Sequence, residues 1–359
     1  MNENIKDLLL KALELKASDL HLTASLPPIY RINGALVPLE NAEPLTPENT
    51  ERLISQLLLR ESFTRHLKEK GEVDFSYVLT GINRFRVNVF RQRQTLAAAI
   101  RVLMPEVPSI DQLGLPEVFK TLALKPRGLI LVTGPTGSGK STTLASIVRH
   151  INNSRKCHVL TIEDPIEYLH KHHNSIINQR EVGDDTLTFA NALRSALRED
   201  PDVILVGEMR DLETINTALM ASETGHLVLS TLHTSSAAQT INRAIDVFPP
   251  HQQQQVRIQL AAVLQGIICQ QLLPRLDGNG RVAALEILVA NDAVRNMIRE
   301  GKTHQIDTVI QTGLKAGMTS MDFDLANLVK CKTVTLEEAS IRCINPGLFN
   351  KYLSQPYIF

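Results

Sequence analysis

Leu129-Ile-Leu-Val-Thr-Gly-Pro-Thr-Gly-Ser-Gly-Lys-Ser141 decides the reading of this chain. Leu129 to Thr133 is a short apolar run rich in β-branched residues, the mark of a buried strand. Gly134, Gly139, Lys140 and Ser141 then fit the pattern G-x-x-x-x-G-K-[ST]. Thr142-Thr-Leu-Ala-Ser-Ile-Val-Arg149 continues as a helix. A strand, a glycine loop and a helix in that order point backbone N–H groups at a helix N-terminus, where negative phosphate is favoured. The spacing therefore predicts a nucleoside triphosphate cradled by Gly134, Pro135, Thr136, Gly137, Ser138, Gly139, Lys140, Ser141 and Thr142. Lys140 would reach the β- and γ-phosphates, and the Ser141 hydroxyl would bind Mg²⁺.

Strands and helices alternate around that loop. His158-Val-Leu-Thr-Ile162, Val203-Ile-Leu-Val206 and Leu227-Val-Leu-Ser-Thr231 are further apolar strands, so residues 117–273 read as an α/β domain with a mainly parallel sheet. Ligands of such a sheet sit at the carboxyl ends of its strands. Residues 1–100 read as a small α+β domain. It has an apolar helical stripe (Ile5, Leu8, Leu9, Ala12, Leu13, Leu15) and strand-like runs at Asp19–Leu22, Ile29–Ile32, Val73–Val78 and Arg84–Phe90. The proline-punctuated residues 101–116 read as a linker, and residues 274–359 as a mainly helical region broken at Gly301, Gly313 and Gly317.

Composition excludes several classes. At 359 residues and 43% apolar content the chain can form two or three domains of about 150 residues each. No apolar run reaches the ~18 residues of a membrane span. The best candidate, Leu260–Cys269, is cut by Gln265 and followed by Gln270 and Gln271. The acidic amino-terminal stretch is unlike a secretory signal, so a cytoplasmic protein is expected, meeting membranes only through partners. The 38 basic and 38 acidic residues balance, which argues against direct nucleic-acid binding. The four cysteines show no C-x-x-C pair and read as free thiols.

Each strand of the α/β domain ends in chemistry. The second ends in Glu163-Asp-Pro-Ile-Glu167, the third in Gly207-Glu208-Met-Arg210, and the fourth is bracketed by His226 and His233. Triphosphate hydrolysis needs a carboxylate on the metal side and a group that orients water. Glu208, after four apolar strand residues, stands where the metal-side acid belongs. The spacing does not choose among Glu163, Asp164 and Glu167 for the water. His233, beyond its strand, is the favoured γ-phosphate sensor, whereas His226 reads equally well as a structural histidine. In the first domain Arg84 and Arg86 share a strand face, and Arg91 and Arg93 share one further along. They are either a solvated edge or cations reaching a nucleotide held by an adjacent subunit. His170-Lys-His-His173 reads as an exposed polar turn.

Taken together, the glycine loop, Thr161-Ile-Glu-Asp-Pro-Ile-Glu-Tyr168, Val206-Gly-Glu-Met-Arg-Asp-Leu-Glu-Thr214 and Glu223-Thr-Gly-His-Leu-Val-Leu-Ser-Thr-Leu-His233 resemble the four boxes of the secretion ATPases. Asp19-Leu-His-Leu22, Arg84–Phe90 and Ala293-Val-Arg-Asn-Met-Ile-Arg-Glu300 resemble the pilus-retraction branch, the twitching-motility PilT family. The resemblance covers roughly residues 5–340. It implies a RecA-like P-loop ATPase core with an N-terminal PAS-like α+β domain and C-terminal helices, using ATP and Mg²⁺. It also implies a homohexamer that depolymerises type IV pili through an inner-membrane platform protein, peripheral at the pilus base. By position Glu208 resembles the Walker B acid and Glu167 the catalytic glutamate. His226 and His233 resemble the His-box pair, and Arg84, Arg86, Arg91 and Arg93 the arginines that complete the site. Arg295 and Arg299, four apart on one helix face, are expected to present a basic surface to a partner. Gln94 stands where the family commonly has glycine, and Gly347–Phe359 matches none of its motifs. An accessory retraction paralogue is one alternative. A pilus-assembly or type II secretion ATPase is another, although the longer amino-terminal region and four-cysteine insert of those relatives do not occur here.

Overall fold

The computed structural model describes residues 4–32, 34–103 and 106–355. The chain divides into two compact units, Met1–Glu106 with Glu167–Leu169, and Val107–Ile166 with His170–Phe359.

The first unit is built from α1 (Ile5–Glu14), β1 (Asp19–Leu22), β2 (Ile29–Ile32), β3 (Ala35–Pro38), α2 (Pro47–Ser55), α3 (Glu61–Lys70), β4 (Glu72–Leu79), β5 (Asn83–Gln92) and β6 (Thr95–Val102). The Asn4 side chain caps α1 by accepting from the Lys6 amide, and Ile5, Leu8, Leu9 and Ala12 form its buried stripe. The six strands make one antiparallel sheet in the order β3-β2-β1-β6-β5-β4. Along β5 the alternation is strict. Phe85, Val87 and Val89 are fully buried, while Arg84, Arg86 and Asn88 on the opposite face are only half-buried. Arg86 pairs with Asp74 across the β4–β5 ladder at 3.6 Å. The expected sharing of one strand face by Arg91 and Arg93 does not hold. Arg93 and Gln94 form the turn into β6 with φ of 44° and 66°, so strand alternation ends at Gln92. Gln94 therefore adopts the left-handed backbone that the family's glycine would take without strain.

The second unit contains α4 (Val118–Ala123), β7 (Gly128–Thr133), α5 (Lys140–Ser154), β8 (His158–Glu163), β9 (Ile176–Glu181), α6 (Phe189–Ala196), β10 (Val203–Val206), α7 (Leu212–Glu223), β11 (Leu227–Leu232), α8 (Ala237–Asp246), α9 (Pro250–Val263), β12 (Leu264–Pro274), β13 (Arg281–Val289), α10 (Asp292–Arg299), α11 (Ile306–Thr312), α12 (Met321–Lys330), α13 (Leu336–Arg342) and α14 (Pro346–Ser354). Its seven strands run β13-β12-β7-β11-β10-β8-β9, all pairs parallel except β12–β13. Every residue of β7, β10 and β11 is buried, because helices cover both faces of the sheet.

Two boundaries differ from the sequence reading. Residues 101–116 are not a free tether: Arg101 and Val102 close β6, and Ile110 and Leu115 are buried in a core with Phe119 and Ile147. Met104 and Pro105 of that stretch lie outside the described residues. The region 274–359 opens with β13, which pairs with β12 along nine registered positions from Gly266↔Val289 to Pro274↔Arg281. Its helices α12 and α14 then pack Met321, Leu325 and Phe349 against Leu273 and Ala284. Leu260–Cys269, the most apolar stretch, is the end of α9 and the start of the buried strand β12. Among the described residues no helix is long and apolar enough to cross a membrane. All four cysteines are free. Of Gly347–Phe359, residues up to Ser354 belong to α14, and 356–359 lie outside the described residues.

Candidate nucleotide site

The parallel register brings four strand ends to one edge. Thr133 of β7 pairs with Leu232 of β11, Ser230 of β11 with Val206 of β10, and Val206 with Ile162 of β8. The glycine loop, His233, Glu208 and Glu163 therefore leave the sheet side by side. At roughly 4.8 Å per strand, His233 leaves one step from the loop's strand, Glu208 two steps and Glu163 three.

The loop is curved by glycine. Gly134, Gly137 and Gly139 have φ of 143°, 77° and 87°. A Cβ at Gly134 would collide with the main-chain oxygen of Gln270 and come within 2.6 Å of Ser138 Oγ. Lys140 Nζ donates to the carbonyls of Gly134 (2.9 Å) and Pro135 (3.0 Å), so its ammonium lies inside the loop's curve. Helix α5 begins at Lys140 with no side-chain cap and no acid in its first turn, which leaves its leading N–H groups facing the loop's concave side. Ser138 Oγ is buried there without a hydrogen-bond partner. A cationic ammonium, uncapped helix amides and a buried hydroxyl form a donor set for phosphate oxygens. Ser141 and Thr142, in the first turn of α5, are half-buried.

Glu208 and His233 complete the edge. One carboxylate oxygen of Glu208 lies 2.6 Å from Arg210 Nε, and the other lies 3.7 Å from His233 Nε2. Partial burial and the Lys140 ammonium lower the His233 pKa, against the opposing pull of Glu208. The shift favours the neutral ring, which offers one N–H and one lone pair. Glu163 accepts from Thr161 Oγ1 at 2.7 Å and from Gln179 Nε2 at 3.2 Å, which fixes its carboxylate at the end of β8. Glu167 is exposed and belongs to the segment grouped with the first unit.

His226 is separated from this cluster. It precedes β11 at the opposite edge, where its Nδ1–H donates to the Ala221 carbonyl at the end of α7 (2.9 Å). Its main-chain N–H donates to the same carbonyl at 3.2 Å. A histidine at a helix C-terminus satisfies orphan carbonyls and suits the dipole there. Arg295 also differs from expectation. Its guanidinium donates to the carbonyls of Ala261 (2.6 Å) and Ala262 (2.8 Å), closing the end of α9, so of the two arginines Arg299 is the exposed one. In the 170–173 turn Lys171, His172 and His173 are exposed as expected. His170 is half-buried, and burial lowers its pKa to about 4.

Three residues of this edge carried no motif. Gln270 on β12 bridges the loop and α5. Glu181 is buried and accepts from the Ile166 amide at 2.9 Å, bracing the turn after Glu163. Glu286 on β13 accepts from the Ala237 amide at 2.7 Å, below the turn that carries His233, and burial raises its pKa to about 7. For Gln270 and Glu286 the available signal was a polar residue inside a mainly apolar strand, whereas the polar end of β9 gave none for Glu181.

Comparison with known proteins identifies the family. The family model described as type II/IV secretion system protein matches residues 1–296. The chain is 49% identical over 346 residues to the type IV pilus retractation ATPase PilT of Pseudomonas aeruginosa, covering 96% of this chain and all of that one. It is 49% identical over 318 residues to a twitching motility protein of Neisseria gonorrhoeae, covering 89% of this chain and 84% of that one. The crystal structure of the pilus retraction motor PilT with bound ADP superposes with a TM-score of 0.91 at 51% identity, covering 97% of this chain and 99% of that one. The chain belongs to the type II/IV secretion system protein family, and its fold is that of the secretion ATPases.

Proposed function

We propose that this chain is an ATP-hydrolysing motor that drives retraction of type IV pili and so supports twitching motility. The observation that carries the reading is the end-to-end similarity to the Pseudomonas retraction ATPase. The strand-end chemistry supports it. Lys140 exchanges the carbonyls of Gly134 and Pro135 for β- and γ-phosphate oxygens, while the α5 amides hold the phosphate chain. Bound Mg²⁺, held by Ser141 and, directly or through water, by Glu208, would neutralise charge developing between the β- and γ-phosphates. His233 offers its neutral ring to the γ-phosphate and reports its loss to Glu208. Glu163 and Glu167 are the candidates for orienting the attacking water, and His226 braces α7 from the far edge.

The motor works as a homohexamer in the cytoplasm, peripheral at the inner-membrane base of the pilus. Arg84, Arg86, Arg91 and Arg93 are the cations offered to a nucleotide held by an adjacent subunit. Arg299, with Arg295 bracing the helix beneath it, faces the inner-membrane platform protein or a retraction paralogue. Deleting the gene in its host and counting surface pili tests the reading. A retraction motor leaves more pili and no twitching, an assembly motor leaves none, and an accessory paralogue leaves twitching largely intact.

A further inference from the structure

Gln270 is the seventh residue of β12, the strand beside β7. It is only 3% exposed. A buried amide has to be satisfied, and the partners of this one are all in the phosphate-binding machinery. Its Nε2 donates to the Ser138 carbonyl at 2.6 Å, and its Oε1 accepts from Thr143 Oγ1 at 2.8 Å. The orientation of the amide follows from chemistry: a carbonyl can only accept, so the NH₂ must face Ser138. Both glycines that define the loop pack on the same residue. A Cβ at Gly134 would strike the Gln270 carbonyl, and one at Gly139 would come within 2.8 Å of Gln270 Nε2. One side chain thus joins the loop, at Ser138, to the first turn of α5, at Thr143.

We propose that Gln270 is a positioning residue for the nucleotide reaction. It holds the glycine loop in the curvature that aims its amides and Lys140 at the phosphates, and it references that curvature to the sheet. The inference rests on the ATPase reading above and deepens it. Gln270 touches no nucleotide atom in this account. It acts on the cradle, which is formed before the nucleotide arrives and persists through the reaction. Loss of such a contact weakens the ground state and the transition state alike, so it raises KM and leaves kcat comparatively unchanged. The same strand carries Leu273 into the core of the C-terminal helices, so the clamp is anchored on both sides.

The test uses the full chain, with fluorescently labelled ADP for binding and steady-state ATP hydrolysis for turnover. Gln270→Met keeps the volume and removes both hydrogen bonds. Gln270→Glu keeps the shape but sets a carboxylate oxygen against the Ser138 carbonyl. We expect Gln270→Met to raise the ADP Kd and the KM for ATP about tenfold, with kcat within about threefold of wild type. Gln270→Glu should raise both constants further. Thr143→Val should reproduce part of the effect and Thr143→Ser should restore it, and Thr143→Val added to Gln270→Met should cost nothing more, as expected of groups acting as one unit. A lower melting temperature in Gln270→Met with wild-type Kd and KM in the folded protein would show a purely structural residue and overturn the proposal. Fully additive effects of the two substitutions would overturn it as well. A wild-type chain that binds ADP but does not hydrolyse ATP would refute the ATPase reading and leave the Kd arm to judge the clamp.

Discussion

The two histidines that bracket β11 are seven residues apart, yet they meet opposite environments. His226, at the amino edge of the sheet, gives its Nδ1–H to the last turn of α7 and braces the main chain. His233, at the carboxyl edge, is exposed, lies 3.7 Å from Glu208, and has its pKa lowered by partial burial and by Lys140. The same contrast runs along the whole sheet. The carboxyl edge bears glycines with positive φ, an uncapped helix start and a buried hydroxyl without a partner. At the amino edge, by contrast, His158 bonds the Asp202 carboxylate through its main-chain amide at 2.8 Å, and Gly128 donates to the His226 carbonyl at 3.0 Å. The amino edge ties these groups together internally, whereas the carboxyl edge leaves Ser138 Oγ and the leading amides of α5 for a ligand. A parallel sheet produces this asymmetry because all its strands deliver their carboxyl ends to the same side.

Lys140→Ala should break the carboxyl edge most completely. ATP hydrolysis falls by about a hundredfold or more with ADP affinity, while the circular dichroism spectrum stays native. The histidine pair sharpens the contrast. His233→Ala should lower kcat about tenfold or more. His226→Ala should leave kcat within about twofold and lower the melting temperature, since it removes a helix-end contact worth about 1 kcal/mol. Equal losses of kcat from both would erase the distinction between the edges. Arg84→Ala asks whether the carboxyl edge is complete by itself. A several-fold loss of hydrolysis with unchanged ADP binding is expected, and full activity would make the β5 arginines a solvated edge. At Glu286 the effect is on stability. Its carboxyl titrates at about 7 in the folded chain against 4.5 for the free group. The folded state therefore holds this proton more tightly, so its contribution is complete below pH 4.5 and is lost as pH rises through 7. Glu286→Gln, which keeps the acceptor for Ala237, should stabilise the protein at pH 8 by on the order of 3 kcal/mol, at 1.36 kcal/mol per pKa unit. The gain should vanish at pH 4 in denaturant titrations.

The carboxyl-edge residues were largely legible in the sequence because each follows an apolar strand run, as Glu208 follows Val203–Val206. The alternation of β5 was legible from its apolar period of two. Two kinds of feature were not. Gln270, Glu181 and Glu286 act through contacts 15 to 132 residues away, and a polar residue in a strand announces a buried partner without naming it. Local rules also failed where the backbone changed region, as at Arg93, or where a side chain reached another helix, as Arg295 reaches the end of α9. The β12–β13 pair was missed because β12 follows α9 without a turn signal, so the apolar run read as one stretch.

Glu208→Ala tests the central claim most directly, because this carboxylate links the loop's edge to the histidine without forming the cradle itself. Purified full-length chain is assayed for phosphate release from ATP and, in parallel, for ADP binding. The account predicts wild-type ADP affinity with hydrolysis reduced by about a hundredfold or more. Turnover at the wild-type rate would contradict it.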